Sequence, residues 1–395
     1  MSLSLDKSTW KRVRLGEVIR RSRTQVDPVS SGVERYVAGG HVDSEGVMIE
    51  RWGRVGDGQM GSTFRYVFNP GQVLFVSARP YLRKVGVPDF SGVVADKTYV
   101  LDAIPENGLL QEFLPFLLSS EAFIEYATAE ATGSMNPRLL WGPMQRYEFD
   151  LPPLEEQRCF ADLLWAVERH QLTLVAEDGA LRAALAQFCS HRFASVPTTR
   201  RLGELTATRS GPSFSAADVS EFPQGDSVPV LGIPNTKPDG SIDLSSVGYV
   251  SGLPQSTAKV DGASLILIRT NGNRDRIGNV YLPPTVAHGY AVSAFQFLMK
   301  VFDPADRKYI YWVLRQPGMQ AKMSEAASGT TGLGNLAVRW LNEQDIPWPE
   351  DPNARTAIIG LIESQAAAAD LVRAELSALA TFRSSLLAGI FGSAK

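Results

Sequence analysis

Two short segments carry side chains that could bind a charged, planar ligand. Segment 77–84 reads Ser-Ala-Arg-Pro-Tyr-Leu-Arg-Lys, and segment 269–276 reads Arg-Thr-Asn-Gly-Asn-Arg-Asp-Arg. Arginine pairs with guanine and asparagine with adenine, while further arginines and lysines bind phosphates. Both segments therefore predict nucleic-acid binding. The predicted contacts are Arg79, Tyr81, Arg83, Lys84, Arg269, Asn271, Asn273, Arg274 and Arg276.

Each segment directly follows an apolar run, 72–77 in one case and 264–268 in the other. Short apolar runs after a glycine are typical of buried strands, so a rigid strand would hold each loop. In the second loop, Gly272 would let the backbone approach a ligand closely. The alternative is that Arg79 and Arg269 are buried ion-pair partners inside their domains.

Other polar segments give weaker indications. Gln59, Ser62 and Arg65 lie together in one of them, and residues 11–23 are rich in arginine. The arginine-rich segment is either a solvated basic face or a phosphate contact. A net charge of −3 excludes a uniformly basic coat protein, but a local basic patch is enough for DNA binding.

Motifs of DNA-acting enzymes are absent from the sequence. Asn69-Pro70-Gly71 lacks the second proline and the aromatic residue of an amino-methyltransferase motif, and no residue separates Asp96 from Lys97 as a nuclease motif requires. No phosphate-binding Gly-x-x-x-x-Gly-Lys-Ser/Thr loop occurs. We therefore expect a binding protein. The alternatives are a solitary DNA-modifying enzyme with an unrecognised site, and a coiled-coil scaffold without DNA contact.

The composition is that of a globular protein, with 44% hydrophobic and 21% charged residues in 395. No apolar run reaches the 18 residues of a membrane span, and the first residues lack the apolar core of a secretory signal. We expect a cytoplasmic protein. Two cysteines and four histidines stand at no metal-binding spacing, so we expect no structural metal.

The chain repeats itself once. Arg-Leu-Gly-Glu at 14–17 returns at 201–204, Gly133-Ser134 returns as Gly329-Thr330, and Asp-Leu-Pro at 150–152 returns as Asp-Ile-Pro at 345–347. The middles, 30–130 and 215–325, differ most. This pattern predicts two modules of one fold that read different things.

Both middles look mixed α/β. Besides the two apolar runs, 98–101 and 296–301 are strand candidates. Residues 109–128 and 307–326 have helical apolar spacing.

Each half ends in a long helix pattern, over 155–190 and after Pro349. A helix of 35 residues is roughly 50 Å long and must bury its apolar stripe against a partner. The near-heptad spacing favours antiparallel pairing of the two helices in a coiled coil, giving a pseudo-twofold molecule. The alternative is that each helix packs only on its own domain. We predict an α/β (α+β) fold with recognition domains at 1–150 and 198–347 and spacer helices at 151–197 and 348–395.

This arrangement resembles the specificity subunits of Type I restriction–modification systems, over nearly the whole chain. The most specific part is Leu-Pro-Pro-Leu-Glu-Glu-Gln at 151–157, which leads the first long helix. The second copy departs from it, reading Ile-Pro-Trp-Pro-Glu-Asp-Pro at 346–352.

The resemblance implies two target-recognition domains, each reading one half of a split double-stranded DNA sequence, with the helices fixing the gap. It also implies partners: two methyltransferase subunits, and restriction subunits. S-adenosylmethionine and ATP would belong to those partners, so we expect no cofactor and no catalytic residue in this chain.

Overall fold

The computed structural model describes residues 5–329 and 333–392. They divide into two compact units: a first unit of Met1–Glu177 with Val372–Lys395, and a second unit of Asp178–Leu371. Within the described residues, no helix is long and apolar enough to cross a membrane.

The first unit is a mixed α/β body. Its strands are β1 (Lys11–Arg14), β2 (Ile19–Ser22), β3 (Arg35–Val37), β4 (Met48–Ile49), β5 (Gly53–Arg54), β6 (Phe64–Phe68), β7 (Val73–Val76), β8 (Val85–Pro88), β9 (Gly92–Ala95), β10 (Thr98–Ala103) and β11 (Glu148–Leu151). Its helices are α1 (Leu15–Val18), α2 (Leu114–Ser119), α3 (Glu121–Ala129), α4 (Trp141–Gln145) and the start of α5 (Leu154–Ala194). One sheet has the order β2-β10-β7-β8-β4, another has β5-β3-β9-β6, and β1 pairs with β11.

The second unit repeats this plan. Its strands are β12 (Thr199–Arg201), β13 (Thr206–Ser210), β14 (Val219–Ser220), β15 (Val228–Leu231), β16 (Gly248–Val250), β17 (Ser264–Ile268), β18 (Thr270–Asn271), β19 (Val280–Tyr281), β20 (Ala291–Val292), β21 (Gln296–Val301), β22 (Gly334–Asn335) and β23 (Asp345–Pro347). Its helices are α6 (Arg307–Leu314), α7 (Pro317–Ala326), α8 (Val338–Asn342) and the start of α9 (Pro352–Phe391). One sheet has the order β13-β21-β17-β19 and another β14-β16-β15-β20, while β12 pairs with β23 and β18 with β22.

The two units share the topology of one sheet and of the two-stranded pair. The order β2-β10-β7-β8 in the first corresponds to β13-β21-β17-β19 in the second, and β1·β11 corresponds to β12·β23. Both units also contain parallel pairs: β3 with β9 and β4 with β8 in the first, and β15 with β20 in the second. The prediction of two similar mixed α/β halves is confirmed.

The repeated Arg-Leu-Gly-Glu motif has a packing reason. A Cβ on Gly16 would lie 2.7 Å from Cβ of Gln145 in α4, and one on Gly203 would lie 2.9 Å from Cβ of Asn342 in α8. Both distances are shorter than side-chain atoms tolerate, so only glycine lets the short helix approach this turn. The motif therefore marks the same helix contact in both units.

Different side chains fix the segment that precedes the long helix in the two units. Buried Gln157 donates to the carbonyl oxygens of Gly108 (2.7 Å) and Pro152 (2.8 Å). In the second unit, buried Arg355 donates to the carbonyl oxygen of Pro349 at 2.7 Å and makes two bonds to the Asp306 carboxylate. An arginine thus replaces the glutamine that the second copy lacks.

The two long helices pack against each other antiparallel within each unit. In the first unit Glu168 of α5 pairs with Arg383 of α9, and His170 lies 2.8 Å from Glu375. A higher number on α5 thus meets a lower number on α9. In the second unit the end of α5, with Cys189 and Phe193, shares a core with Ile359 and Ile362 at the start of α9. The predicted pairing of the long helices is confirmed.

Glu168 joins the backbone just before β4 to the paired long helices. Its side chain is 3% exposed; one oxygen accepts from the backbone N–H of Val47 at 3.0 Å, and the other binds Arg383. We expect Glu168→Ala to lower the free energy of unfolding by about 3–5 kcal/mol, because it leaves a buried guanidinium unpaired. The control is Glu375→Ala, which removes a half-exposed pair and should cost less than about 1 kcal/mol. Equal losses in urea titrations of the two variants would contradict this role.

Candidate nucleic-acid interface

The loop after β7 has an unusual backbone. Arg79 (φ 52°) and Arg83 (φ 56°) flank the one-turn 3-10 helix Pro80–Leu82, and they are the non-glycine residues with positive φ in the described parts of the chain. Left-handed backbone at a side chain with a Cβ is costly and clusters at functional sites. The fold therefore holds this loop in a defined, strained shape at the end of a fully buried strand.

Two of its four predicted contact residues are available to a ligand. Arg79 is exposed and its guanidinium has no hydrogen bond or ion pair among the described residues, while Tyr81 is 50% exposed. An exposed cation beside an exposed aromatic ring suits a phosphate or the face of a base. The alternative of a buried ion pair does not hold for Arg79.

The other two are engaged within the unit. Arg83 forms an ion pair with Glu121 of α3, and the ammonium group of Lys84 donates to the carbonyl oxygen of Gly39. Both bonds fix the loop against its neighbours.

In the second unit, the predicted asparagines shape their own loop. The side-chain oxygen of Asn271 accepts from the N–H of Asn273 at 2.8 Å, and that of Asn273 accepts from the N–H of Asp275 at 3.0 Å. These are Asx turns. Their amide nitrogens remain able to donate.

The arginines of this loop reach neighbouring backbone. Arg274 donates to the carbonyl oxygens of Ala327 (3.2 Å) and Gly329 (2.9 Å), and Arg276 donates to that of Thr236. Arg274 is nevertheless exposed. Its guanidinium can therefore hold the loop and still meet an anion.

Arg269 is half-buried, and hydrogen bonds and an aromatic ring hold its guanidinium group in place. Nε donates to Oδ1 of Asn335 at 2.9 Å and Nη1 to Oγ of Ser210 at 3.1 Å, and the guanidinium lies 5.7 Å from the centre of the Phe297 ring. Its side-chain partners are thus an amide and a hydroxyl, in place of the buried ion pair that was the alternative.

In each unit a second loop, which the sequence analysis did not predict, lies beside the loop that follows the buried strand. Backbone bonds between Thr132 and Arg138 (3.0 and 2.9 Å) close one, and bonds between Ser328 and Asn335 (3.1 and 2.8 Å) close the other. We call the segment 132–138 of the first unit and residues 328, 329 and 333–335 of the second unit the glycine loops. Each is anchored beside a strand-end loop, so each unit presents two adjoining loops.

The repeated Gly-Ser/Thr pair was the available signal for the glycine loops. Gly133 (φ 112°) and Gly329 (φ 137°) adopt conformations that other residues avoid. Beyond them, Met135 is 95% exposed and Leu333 57% exposed. Thr330, the second member of the repeated pair, lies outside the described residues. Exposed apolar side chains beside cationic loops suit contact with base edges or base steps.

The weaker candidates of the first unit lie elsewhere. Ser62 and Arg65 line an open cleft of about 580 Å³ together with Gln25, Asp27 and other residues. In the arginine-rich segment, Arg12 and Arg14 of β1 bind acidic side chains of β11.

Arg21 belongs to the same segment but differs from these arginines. It stacks on Tyr99 at 4.3 Å, and its Nε is buried without a hydrogen bond. Burial lowers its pKa, and the neighbouring charges of Arg23 and Arg138 lower it further. Three arginines therefore lie near one another at the base of the first loop pair, and Asp96 pairs with one of them.

Solved structures align with this chain from end to end. The S subunit of a Type I restriction–modification system from M. genitalium aligns over 100% of both chains, with a TM-score of 0.59 and 14% identity. A chain from a structure of the assembly and conformational transition of the Type I system aligns over 98% of both, with a TM-score of 0.56 and 19% identity. The chain has the fold of a Type I specificity subunit.

No protein-family model and no curated protein sequence matches the chain. The likeness is therefore one of fold, and the sequence has diverged far from the solved examples. The full alignment confirms the resemblance drawn from the repeated motifs.

Proposed function

We propose that this chain is the DNA-specificity subunit of a Type I restriction–modification complex. The observation that carries the proposal is the repeat of one fold with a cationic strand-end loop and a glycine loop in each copy, within a full-length specificity-subunit fold. Each unit would bind one half of a split target, and the predicted domains 1–150 and 198–347 would be the recognition domains.

Binding would combine positioning and reading. Arg79 and Tyr81 of the first unit, with Asn271, Asn273 and Arg274 of the second, are the predicted residues best placed to meet DNA. Arginine and asparagine can discriminate bases in the major groove, and guanidinium groups also bind phosphates. Because 30–130 and 215–325 differ in sequence, the two units would read different half-sites.

The chain would act without catalysis of its own. Two methyltransferase subunits would bring S-adenosylmethionine and flip the target base out of the duplex, and restriction subunits would use ATP. The assembly would work on DNA in the cytoplasm. Support for these partners comes from the likeness to a chain of a Type I system studied for its assembly.

Exchange of one recognition segment tests the proposal. Replacing residues 30–130 by the corresponding segment of another specificity subunit should change one half-site of the methylated sequence and leave the other unchanged. The exchange points suit the fold, because they lie in the loop before β3 and directly after α3. Methylation mapping of cells that carry the complex gives both half-sites in one measurement.

The reciprocal exchange of 215–325 is the matched control, and it should change only the other half-site. A change in both halves, or in neither, from either exchange would refute the assignment. The enzyme alternative has its own test: methyl transfer to DNA by the purified chain alone would contradict a non-catalytic role.

A further inference from the structure

Each unit has one arginine at the joint between its two loops, but the two arginines come from opposite loops. The N–H of Leu139 donates to the carbonyl oxygen of Ser77 at 2.9 Å, and the N–H of Leu336 donates to that of Arg269 at 2.9 Å. Ser77 and Arg269 are therefore equivalent positions. The residues before the two leucines, Arg138 and Asn335, are the other equivalent pair.

The side-chain contacts at this joint are also equivalent. In the first unit Nε of Arg138 donates to Oγ of Ser77 at 3.0 Å, and its guanidinium lies 5.8 Å from the centre of the Tyr99 ring. In the second unit Nε of Arg269 donates to Asn335 and the guanidinium lies 5.7 Å from the Phe297 ring.

The two rings are equivalent as well. Tyr99 pairs with Phe75 in the β10·β7 register, and Phe297 pairs with Leu267 in the β21·β17 register. Phe75 stands two residues before Ser77 and Leu267 two before Arg269, so the rings hold the same place. The guanidinium group thus occupies the same place in both units, although the arginine that carries it belongs to the glycine loop in the first unit and to the strand-end loop in the second.

Linking the two loops does not require the positive charge of an arginine at this joint. A serine facing an asparagine could make the same hydrogen bond without a cation. The acceptors of Arg269 are neutral: Asn335, Ser210 and the carbonyl oxygen of Ala294. In the first unit Asp96 lies 3.3 Å from Arg138, but Arg21 packs on the same Tyr99 ring and adds a second positive charge.

We propose that Arg138 and Arg269 make equivalent contacts with the DNA, each binding one phosphate of the DNA backbone at its own half-site. The inference rests on the proposed function. Within the unit, Nη1 of Arg138 donates to the Asp96 carboxylate and Nη2 to the Asp96 carbonyl oxygen, while Arg269 uses Nη1. Each Nη carries two hydrogens, so both guanidinium groups keep N–H donors for an anion. The existing bonds hold each side chain in place and reduce the side-chain entropy lost on binding. Such a contact fixes the position of a unit on DNA and carries no sequence preference.

The test is the salt dependence of DNA binding by the assembled complex. Each phosphate contact contributes about 0.9 to the slope of log affinity against log salt concentration. Arg138→Asn should lower that slope by about 0.9. Between 50 and 200 mM salt, the wild-type complex should therefore lose about 3.5-fold more affinity than the variant.

The reciprocal double variant makes the prediction sharp. Ser77→Arg with Arg138→Asn copies the arrangement of the second unit and should restore both slope and affinity. Arg269→Ser with Asn335→Arg should do the same in the second unit and provides an independent test should the first pair fold poorly. Arg158→Asn, on the acidic start of α5, is the control that should leave the slope unchanged.

A structural role alone would give another result. Arg138→Asn would then lower the melting temperature and weaken binding equally at all salt concentrations, with the slope unchanged, and that outcome would overturn the inference. Folded double variants that do not regain the slope would overturn it too. Failure of the proposed function is distinguishable, because the wild-type complex would then show no salt-dependent DNA binding.

Discussion

Replacing Gly329 by alanine is expected to weaken DNA binding by the assembled complex about tenfold to hundredfold, with the loss confined to the second half-site. At φ 137° an alanine is strained, and its Cβ would lie 2.3 Å from the carbonyl oxygen of Leu333. Strain of this kind costs about 1–3 kcal/mol, and a steric conflict with backbone adds to it.

The strain would spread from the glycine loop to the strand-end loop. The carbonyl oxygen of Gly329 accepts from Arg274 at 2.9 Å, and Asn335 at the far end of the loop accepts from Arg269. Movement of the glycine loop therefore displaces two arginines that we assign to the DNA contact. Gel-shift titrations on full targets and on targets with one half-site scrambled measure the loss and locate it.

Two matched variants control this prediction. Gly318→Ala lies in α7, where a Cβ meets nothing within 4 Å, so binding should be unchanged. Gly133→Ala has positive φ but its nearest contact would be 3.5 Å away, so its effect should be smaller and should fall on the first half-site. A folded Gly329→Ala complex that binds as tightly as the wild type would show that the loop takes no part in reading.

The parts of the fold that burial dictates were predictable from the sequence. The runs 264–268 and 296–301 coincide with β17 and β21, because these two central strands of one sheet are almost wholly buried and therefore rich in apolar residues. Apolar periodicity indicated helices in the segment 109–128 but not the point where one ends and the next begins. Segment 109–128 holds two helices, since Ser120 is extended (ψ 150°) and its hydroxyl accepts from the N–H of Phe123 to start α3.

The position of the candidate site could be predicted from the sequence, but which of its side chains are available to a ligand could not. A loop after a buried strand is a reliable position, and the arginines could be read from the sequence. Which of them remain available depends on partners distant in the chain: Glu121 lies 38 residues from Arg83, and Asn335 lies 66 residues from Arg269. Residue types alone do not encode such pairings.

Substitution of one polar group by another also escaped sequence comparison. Gln157 and Arg355 each fix the chain that leads into a long helix. The pairs Ser77–Arg138 and Arg269–Asn335 hold the same joint, although they do not align by residue type. Different residue types can supply the same hydrogen bond at the same place in the fold. The two units therefore resemble each other more closely in structure than in sequence.

Lengthening both long helices together is expected to widen the gap between the two half-sites while both half-sites stay the same. Seven residues inserted after Glu177 in α5 and seven after Leu371 in α9 add two turns to each helix. Seven residues extend a helix by about 10.5 Å, which corresponds to about three base pairs at roughly 3.4 Å each. Methylation mapping reads the gap directly.

Both helices must change because they pack antiparallel. Within the first unit, His170 faces Glu375 and Glu168 pairs with Arg383, so an insertion in one helix alone would move its apolar stripe out of register with the other. A seven-residue insertion preserves the heptad, and the single-helix insertions should give unstable complexes.

A length-preserving variant separates spacing from sequence. Glu177→Ala with Gly179→Ala alters two exposed helix residues at the same place, and a Cβ on Gly179 meets nothing within 4 Å, so its gap should be that of the wild type. If the double insertion yields a folded complex with an unchanged gap, the helices do not set the spacing. The gap between the half-sites would then depend on another part of the complex.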